Sequence, residues 1–461
     1  NMNVTNDQID KKKVNDILSQ VKIGARDKSK LLGYALNTCN YYELEYIYSK
    51  IPTIYKGLFS LSFLIRRDVA RLYQTPIQPC ASTIDYMGKL AYIIKKHAQK
   101  INLYIKYKTQ VDSSFLKGDY DDARKMLKKI NDEVSYSFWA IAYEIKMDRL
   151  QYGIQRSITT HNTYFHQNNC PIFQKFCNVA FHTSSLEYTT DIEKKVLFLG
   201  GEEYTYINNI IITHFLAYKG INEGDWFCSD MNSSIIDLYN NFIAYLPNFN
   251  TSTINKTEFK FFLKEINSVI HDPYLLKICY LLGLYFNNIY SLSKRQSIIH
   301  SYMIKDFQSV IDESTIYIED NPLDIEVLCI YIKSCIASQK DTSISSKEGS
   351  IIHEIRLHLY NIFQPNIESS FHLTKLKGIC QSLYHIDAIK HLHSIITAFE
   401  KNDLWSLCDN TWKYSPYLNV GDAIFYNDVD RRKEFINSLG VGINITDIFD
   451  TVAHPLSNDA Y

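Results

Sequence analysis

An all-α fold of stacked helical hairpins is what this sequence predicts, and three observations predict it. Apolar residues recur at three- and four-residue steps almost throughout, the spacing of one face of a helix. Gly and Pro number only 16 and 10 in 461 residues, which favours long helices over tight turns. Strand-like stretches are few. Even VLFLGGEEYTYI, residues 196–207, reads better as a helix stopped at Gly200-Gly201 and a new helix from Glu202 to about Tyr218 than as a β-hairpin. The other packing open to the same helices is a compact multi-helix bundle.

The length exceeds what one compact core usually takes, so two helical blocks are expected, 1–246 and 257–440, followed by a tail, 441–461. The linkers are the polar stretches LPNFNTSTINK, 246–256, and QKDTSISSKEGS, 339–350. A third irregular stretch is expected at 154–171.

The helical elements follow in order. NTCNYYELEYIYSKIP, 37–52, places a turn at Cys39-Asn40 before a helix with Tyr41, Leu44, Tyr48 and Ile51 on one side. INLYIKYKTQVDSSFL puts Tyr104, Tyr107, Val111 and Phe115 at helical steps, and a turn at Gly118-Asp119 leads into a helix with Tyr120, Ala123, Leu127 and Ile130 on one face. The two turns align, Cys39 on Gly118 and Asn40 on Asp119. In FWAIAYEIKMDRL, Trp139, Tyr143, Met147 and Leu150 share a face. IHDPYLLKICYLLGLYF carries Pro273 and then Leu282-Gly283 and Phe286; EDNPLDIEVLCIYIKSC sets Pro322 between two helical patterns. HLHSIITAFEKNDLWSLCDNTWKYSP, 391–416, is a further helix–turn–helix with its turn at Asn402-Asp403.

Residue types at Gly118, Tyr120, Ala123, Leu127 and Ile130, and at Pro273, Leu282-Gly283 and Phe286, resemble the tetratricopeptide repeat. The first helix before Gly118 departs from it, with Gln110 and Val111 where the family prefers Leu-Gly. Pro273 to Pro322 is 49 residues and Cys39 to Gly118 is 79, against a family period of roughly 34, so the array is irregular. The resemblance implies an irregular tetratricopeptide-like α-solenoid whose concave face binds a protein partner or peptide.

Charge and motifs bound the chemistry. With 49 basic and 50 acidic residues the chain as a whole is no polycation for nucleic acid or membrane. The polar opening stretch lacks the apolar core of a signal peptide, no run is long enough for a membrane span, and ten scattered cysteines suit a reducing cytoplasm. The cluster His161, His166, Cys170, Cys177 and His182 has zinc-ligand types but no CxxC knuckle, so no metal is expected. HEIRLH, 353–358, spaces its histidines five apart, which puts them off a common helical face, and His385, Asp387, His391 and His393 are likewise poorly spaced. Gly200-Gly201 lacks the companions of a phosphate-binding loop, so no cofactor is expected.

One asymmetry stands out. Residues 88–130 hold eleven Lys/Arg against four acids, a net +7, with Tyr92, Tyr104 and Tyr107 interleaved. Basic residues alternating with stacking rings would suit single-stranded nucleic acid, or an acidic protein surface. The contact residues expected are Lys96, Lys100, Tyr104, Tyr107 and Lys108. The function expected is a non-enzymatic interaction scaffold or adaptor in a bacterial cytoplasm, of the kind found in accessory or phage-defence systems; the alternative is nucleic-acid binding through 88–130.

Overall fold

The computed structural model describes residues 9–24, 27–72, 83–189, 234–246, 256–281, 294–342, 346–364, 369–383 and 385–400. The described residues form nineteen α-helices and no strand. The helix expected at 202–218, the Leu282-Gly283 and Phe286 positions, the Asn402-Asp403 turn and the 441–461 tail lie outside the described residues.

The N-terminal helices are α1 (Lys11–Ile23), α2 (Lys28–Thr38), α3 (Tyr41–Lys50) and α4 (Thr53–Phe59), followed by α5 (Thr83–Lys96), α6 (Ala98–Lys117), α7 (Tyr120–Glu133), α8 (Phe138–Tyr152), α9 (Ile154–Gln167) and α10 (Pro171–His182). Then come α11 (Ile235–Tyr245), α12 (Lys256–Asn267), α13 (Pro273–Leu281), α14 (Lys294–Met303), α15 (Phe307–Asp320), α16 (Ile325–Ala337), α17 (Ile351–Phe363), α18 (Ser370–Leu383) and α19 (Asp387–Glu400). Short polar residues start many of them. Asn40 and Glu43 form a reciprocal capping box at α3, and Ser137, Ser234, Asp306, Asp324 and Ser350 each cap the helix that follows.

The two aligned turns exist, with different chemistry. At the end of α6, Gly118 takes the left-handed conformation (φ 78°), its N–H donates to the Phe115 carbonyl, and the Asp119 N–H donates to the Ser114 carbonyl. That doubly bonded ending favours glycine, because a Cβ is strained at positive φ. Cys39 at the equivalent place is extended (φ −94°), and the next helix is set by its capping box instead. Gly118→Ala is therefore expected to cost about 1–2 kcal/mol from backbone strain alone, read as a shift in the urea midpoint. Cys39→Ala carries no such backbone term.

Consecutive helices pair as hairpins, notably α6 with α7, α8 with α9, α15 with α16 and α18 with α19. Helices far apart in sequence also pack: α12 on α5, α17 on α6, α11 on α6 and α8, and α19 on α16. One apolar core consequently runs from Val14 to Ile396 and crosses the 246–256 stretch, joining Leu246 to Phe259 and Phe262. Helix α8 is buried nearly all round. Trp139, Tyr143 and Met147 face this main core, whereas Phe138, Ile141 and Ile145 face a second cluster with Phe173, Phe176 and Cys177.

The stretch 154–171 is a helix, α9, for most of its length, contrary to the irregular structure its sequence suggested. Its inner face packs Tyr164 and Phe165 on the second core cluster, and polar contacts add to it. The Ser157 hydroxyl donates to the Ile145 carbonyl (3.1 Å), the Tyr164 hydroxyl donates to Glu144, and His161 meets Asn178 (2.9 Å).

Candidate functional site

Helix α6 carries most of the expected contact residues, and its twenty residues place them in three separate surroundings. Lys96, at the end of α5, pairs with Glu45 (2.7 Å) and sits 4.1 Å from the Tyr48 ring centre and 5.0 Å from that of Tyr92. Lys100 and Tyr107 gather at the end of α7, where the Lys100 ammonium donates to the Glu133 carbonyl and the Tyr107 hydroxyl donates to the Glu133 carboxylate (2.8 Å). Tyr104 and Lys108 point inward. Tyr104 is fully buried, its ring edge-on to Trp139 and its hydroxyl donating to Asn240 (2.9 Å), so it belongs to the interior and offers no outer stacking surface.

The positive excess of 88–130 is largely answered from elsewhere in the chain. Lys95 pairs with Glu265 (2.5 Å), Lys96 with Glu45, Lys108 with Asp387 (3.3 Å) and Arg124 with Asp148 (2.8 Å). Lys89 is buried. A segment that looks basic in sequence is thus a seam along which distant acidic residues dock.

Lys108 opens onto a cavity of about 100 Å³ between α6, α8, α11, α13 and α19. Its wall includes Trp139, Asn240, Asp272, His385, Asp387 and Lys390. The Lys108 ammonium donates to Asp112 (3.0 Å) and Asp387 (3.3 Å), and Lys390 donates to the other Asp387 oxygen (3.3 Å). The Tyr143 hydroxyl donates to Asp112 and the Tyr239 hydroxyl to Asp272 (2.7 Å). Burial alone would lower the Lys108 pKa, but the Asp112 and Asp387 carboxylates override it and hold the ammonium charged. Burial works against ionised Asp387 too, yet Lys108 and Lys390 pull its carboxyl below the usual range. At Asp112 burial prevails over Lys108 and Tyr143, and its carboxyl is raised.

Behind the cavity lies Lys146, 1% exposed. Its amine donates to the Ser382 carbonyl and lies 3.4 Å from His385 Nδ1. Burial depresses its pKa to about 7. Between about pH 7 and the ordinary lysine value of about 10.4, the unfolded chain binds a proton there that the fold does not, so this group makes stability rise with pH. Below about pH 7 both states are protonated and the fold carries the whole cost of the buried charge. Lys146→Met is therefore expected to stabilise the protein by about 1–3 kcal/mol at pH 7, with the gain shrinking as pH rises toward 10. Urea unfolding at pH 7 and pH 9.5 measures both.

At a second buried carboxylate, Asp237 of α11 accepts from the Phe138 N–H (2.9 Å) and the Trp139 N–H (3.1 Å), capping α8 across the sequence. Burial still pushes its carboxyl up to about 6.

The histidine and cysteine cluster at 161–182 does not converge. His161 engages Asn178 and Cys177 is buried in the second core. Among the described residues no group of three or more His, Cys, Asp or Glu could hold a metal ion. Burial pushes the thiols of Cys177, Cys279 and Cys329 up to about 12, which leaves them poor nucleophiles. No described helix is long and apolar enough to cross a membrane.

Sequence reading identified Lys108, and it noted His385 and Asp387 only as a badly spaced set. It missed Trp139, Asn240, Asp272 and Lys390 as cavity residues. Lys108 and Asp387 are 279 residues apart, and no linear spacing encodes such a pair.

The chain is similar to a Detocs histidine-protein kinase, DtcA, from Enterobacter cloacae (strain JD6301), with 23% identity over 334 residues. The match covers 69% of this chain and 29% of the kinase, so the chain spans less than a third of its relative's length. No protein-family model matches the chain. No solved structure matches it.

Proposed function

We propose that this chain is a helical recognition module, an adaptor that docks a protein partner in a bacterial phage-defence signalling system. One observation carries the reading. The similarity to the Detocs kinase extends over 69% of an all-α chain but over only 29% of the kinase. This supports assigning the shared part to recognition and the phosphoryl transfer of the relative to its remaining length. The chemistry of the interior agrees. Lys146 and the cysteines named above are enclosed, where a macromolecular substrate does not reach them. The irregular tetratricopeptide-like array supplies the proposed concave docking face, with Lys100 and Tyr107 as contact residues at the surface.

The relative's name raises a second reading, in which this chain itself takes part in phosphoryl transfer. The two separate cleanly in one pair of experiments. The chain is purified with its natural neighbours from the host, with and without nuclease, and is separately incubated with ATP carrying a labelled γ-phosphate. A stoichiometric protein partner that survives nuclease, with no label retained on the chain alone, is the expected result. Acid-labile label on the chain itself would overturn the adaptor reading in favour of phosphoryl transfer. Partners lost on nuclease would move the function to nucleic acid.

A further inference from the structure

Two histidines on neighbouring helices meet nitrogen to nitrogen. His358 of α17 and His372 of α18 stand with their Nδ1 atoms 2.8 Å apart. At that distance one Nδ1 carries a hydrogen and the other a lone pair. Glu354, one turn before His358, decides which. Its ionised carboxylate only accepts and lies 3.4 Å from His358 Nε2, which places the hydrogen of a neutral His358 on Nε2 and leaves Nδ1 bare. His372 Nδ1 is therefore the donor. The row Glu354, His358, His372 is satisfied by one hydrogen between the rings and has no place for a second.

A second proton would enter at His358 Nδ1. It would set donor against donor at 2.8 Å and two like charges side by side. His358 is 5% exposed, so solvent screens such a pair poorly. Burial above all, with His372 and Lys375 of α18, holds the His358 imidazole below its ordinary range, and Glu354 works the other way. The unfolded chain takes up this proton more readily than the fold does. Stability from this group is thus full above about pH 6.5 and is lost as the pH falls below it. Helices α6 and α16 also pack on α17, and α19 packs on α18. Of their charged groups, Lys117 donates to the Glu319 carbonyl (3.4 Å), Lys333 lies over the Phe363 ring (4.8 Å), Glu326 meets Arg295, and Asp387 holds Lys108 and Lys390. Relief comes most readily from His372, which is half-buried and is the third residue of α18.

We propose that Glu354, His358 and His372 form a proton-sensitive clasp. One hydrogen shared between the two rings holds the start of α18 on α17, and uptake of a second proton in mild acid opens it. The clasp sits on the helix that pins the 183–189 segment through Gln381 and Ser382. It does not depend on which partner the outer surface binds.

The test is an NMR pH titration of the full chain carrying ¹³C and ¹⁵N in histidine, with His358→Gln and His372→Gln identifying the two signals. At pH 7.5 the unmutated chain should show hydrogen on Nε2 of His358 and on Nδ1 of His372. In His372→Gln the amide can donate to neutral His358 or, turned over, accept from the charged ring, and it takes up no proton. The His358 midpoint should then rise by about one pH unit, a tenfold gain in proton affinity, as expected when a strongly coupled neighbour is removed. Hydrogen exchange of residues 370–376, corrected for its intrinsic pH dependence, reads the helix itself. Protection should fall about tenfold between pH 7.5 and 5.5 in the unmutated chain, the effect of one proton over one pH unit below about 6.5, and far less in His372→Gln. Far-UV circular dichroism confirms that each variant is folded. The opposite tautomers in the unmutated chain, or a His358 midpoint that His372→Gln leaves in place, would overturn the shared hydrogen. Level protection in the unmutated chain would overturn the clasp. All of these results are independent of whether a protein partner co-purifies.

Discussion

Arg295→Ala should destabilise the protein by about 3–5 kcal/mol, the usual result of removing one member of a buried ion-pair network. Arg295, on α14, is 14% exposed and reaches two carboxylates of α16. Its Nε donates to Asp324 (2.7 Å) and its guanidinium also meets Glu326. Asp324 is committed further, since it caps α16 by accepting from the Val327 N–H (3.2 Å) and accepts from the Tyr317 hydroxyl of α15 (3.0 Å). One guanidinium therefore ties three consecutive helices together. Burial would lower the Arg295 pKa, but the two carboxylates raise it, so the cation is secured at any ordinary pH. The alanine variant leaves two acids close together in a shielded pocket without the cation that offset their charge. Part of the loss is repulsion and not missing attraction, which gives the measurement a second arm. Adding Glu326→Gln to an Arg295→Met background removes one of the stranded charges and should recover a substantial part of the loss. Urea unfolding of the single and double variants reads both effects. A loss below about 1 kcal/mol, the size of an exposed pair, would mean that solvent reaches the network and that it does little to hold α14–α16.

How much of this architecture the sequence reveals depends on how local each cause is. The turn at Gly118-Asp119 is legible because one residue must take positive φ and glycine does so without strain. The face Trp139, Tyr143, Met147 is legible because helical spacing lies in a short window. The position of Pro322 between α15 and α16 is legible for the same reason. Helix α9 was misread because its apolar face, Tyr164 and Phe165, is broken up by Ser157 and His161, which bond to α8 and α10 across the sequence. The candidate site was the least legible. Lys96 and Lys108 looked like free surface cations because Glu45 and Asp387, the charges that answer them, lie far away in sequence. A net charge summed over a segment assumes that the segment is its own neighbourhood, and in a helical array whose distant helices pack together that assumption fails. The same long-range packing of α12 on α5 and α17 on α6 sets this chain apart from a strictly nearest-neighbour stack.

Gly378→Ala tests that packing at its tightest point, and its sign is opposite to what helix propensity alone would give. Gly378 lies inside α18, where alanine ordinarily gains about 0.5–1 kcal/mol over glycine. Here a methyl group would fall on the Leu186 carbonyl oxygen, well within van der Waals contact, and 2.7 Å from the Tyr188 nitrogen. Both neighbours are backbone, so no side chain can swing aside. The segment after α10 is held down on either side of this contact. Gln381 accepts from the Thr189 N–H (3.1 Å) and donates to the Thr189 carbonyl (2.9 Å), while the Ser382 hydroxyl donates to the Thr183 carbonyl (2.9 Å). A methyl at 378 forces 186–188 away from α18 and opposes these bonds together. The expected cost is about 3 kcal/mol, the upper end for overpacking a close contact, with faster proteolytic cleavage near residues 186–189. Gly33→Ala is the matched control. Gly33 is also helical, in α2, but a Cβ there meets nothing within 4 Å, so that variant should gain the ordinary increment. If both variants gained stability, the close approach of 186–188 to α18 would be wrong. The contact matters to the site because α18 also supplies the Ser382 carbonyl to Lys146, and Lys146 adjoins His385 on the cavity wall. Loosening the segment should therefore reach the cavity wall from behind, although residue 378 touches no part of the cavity.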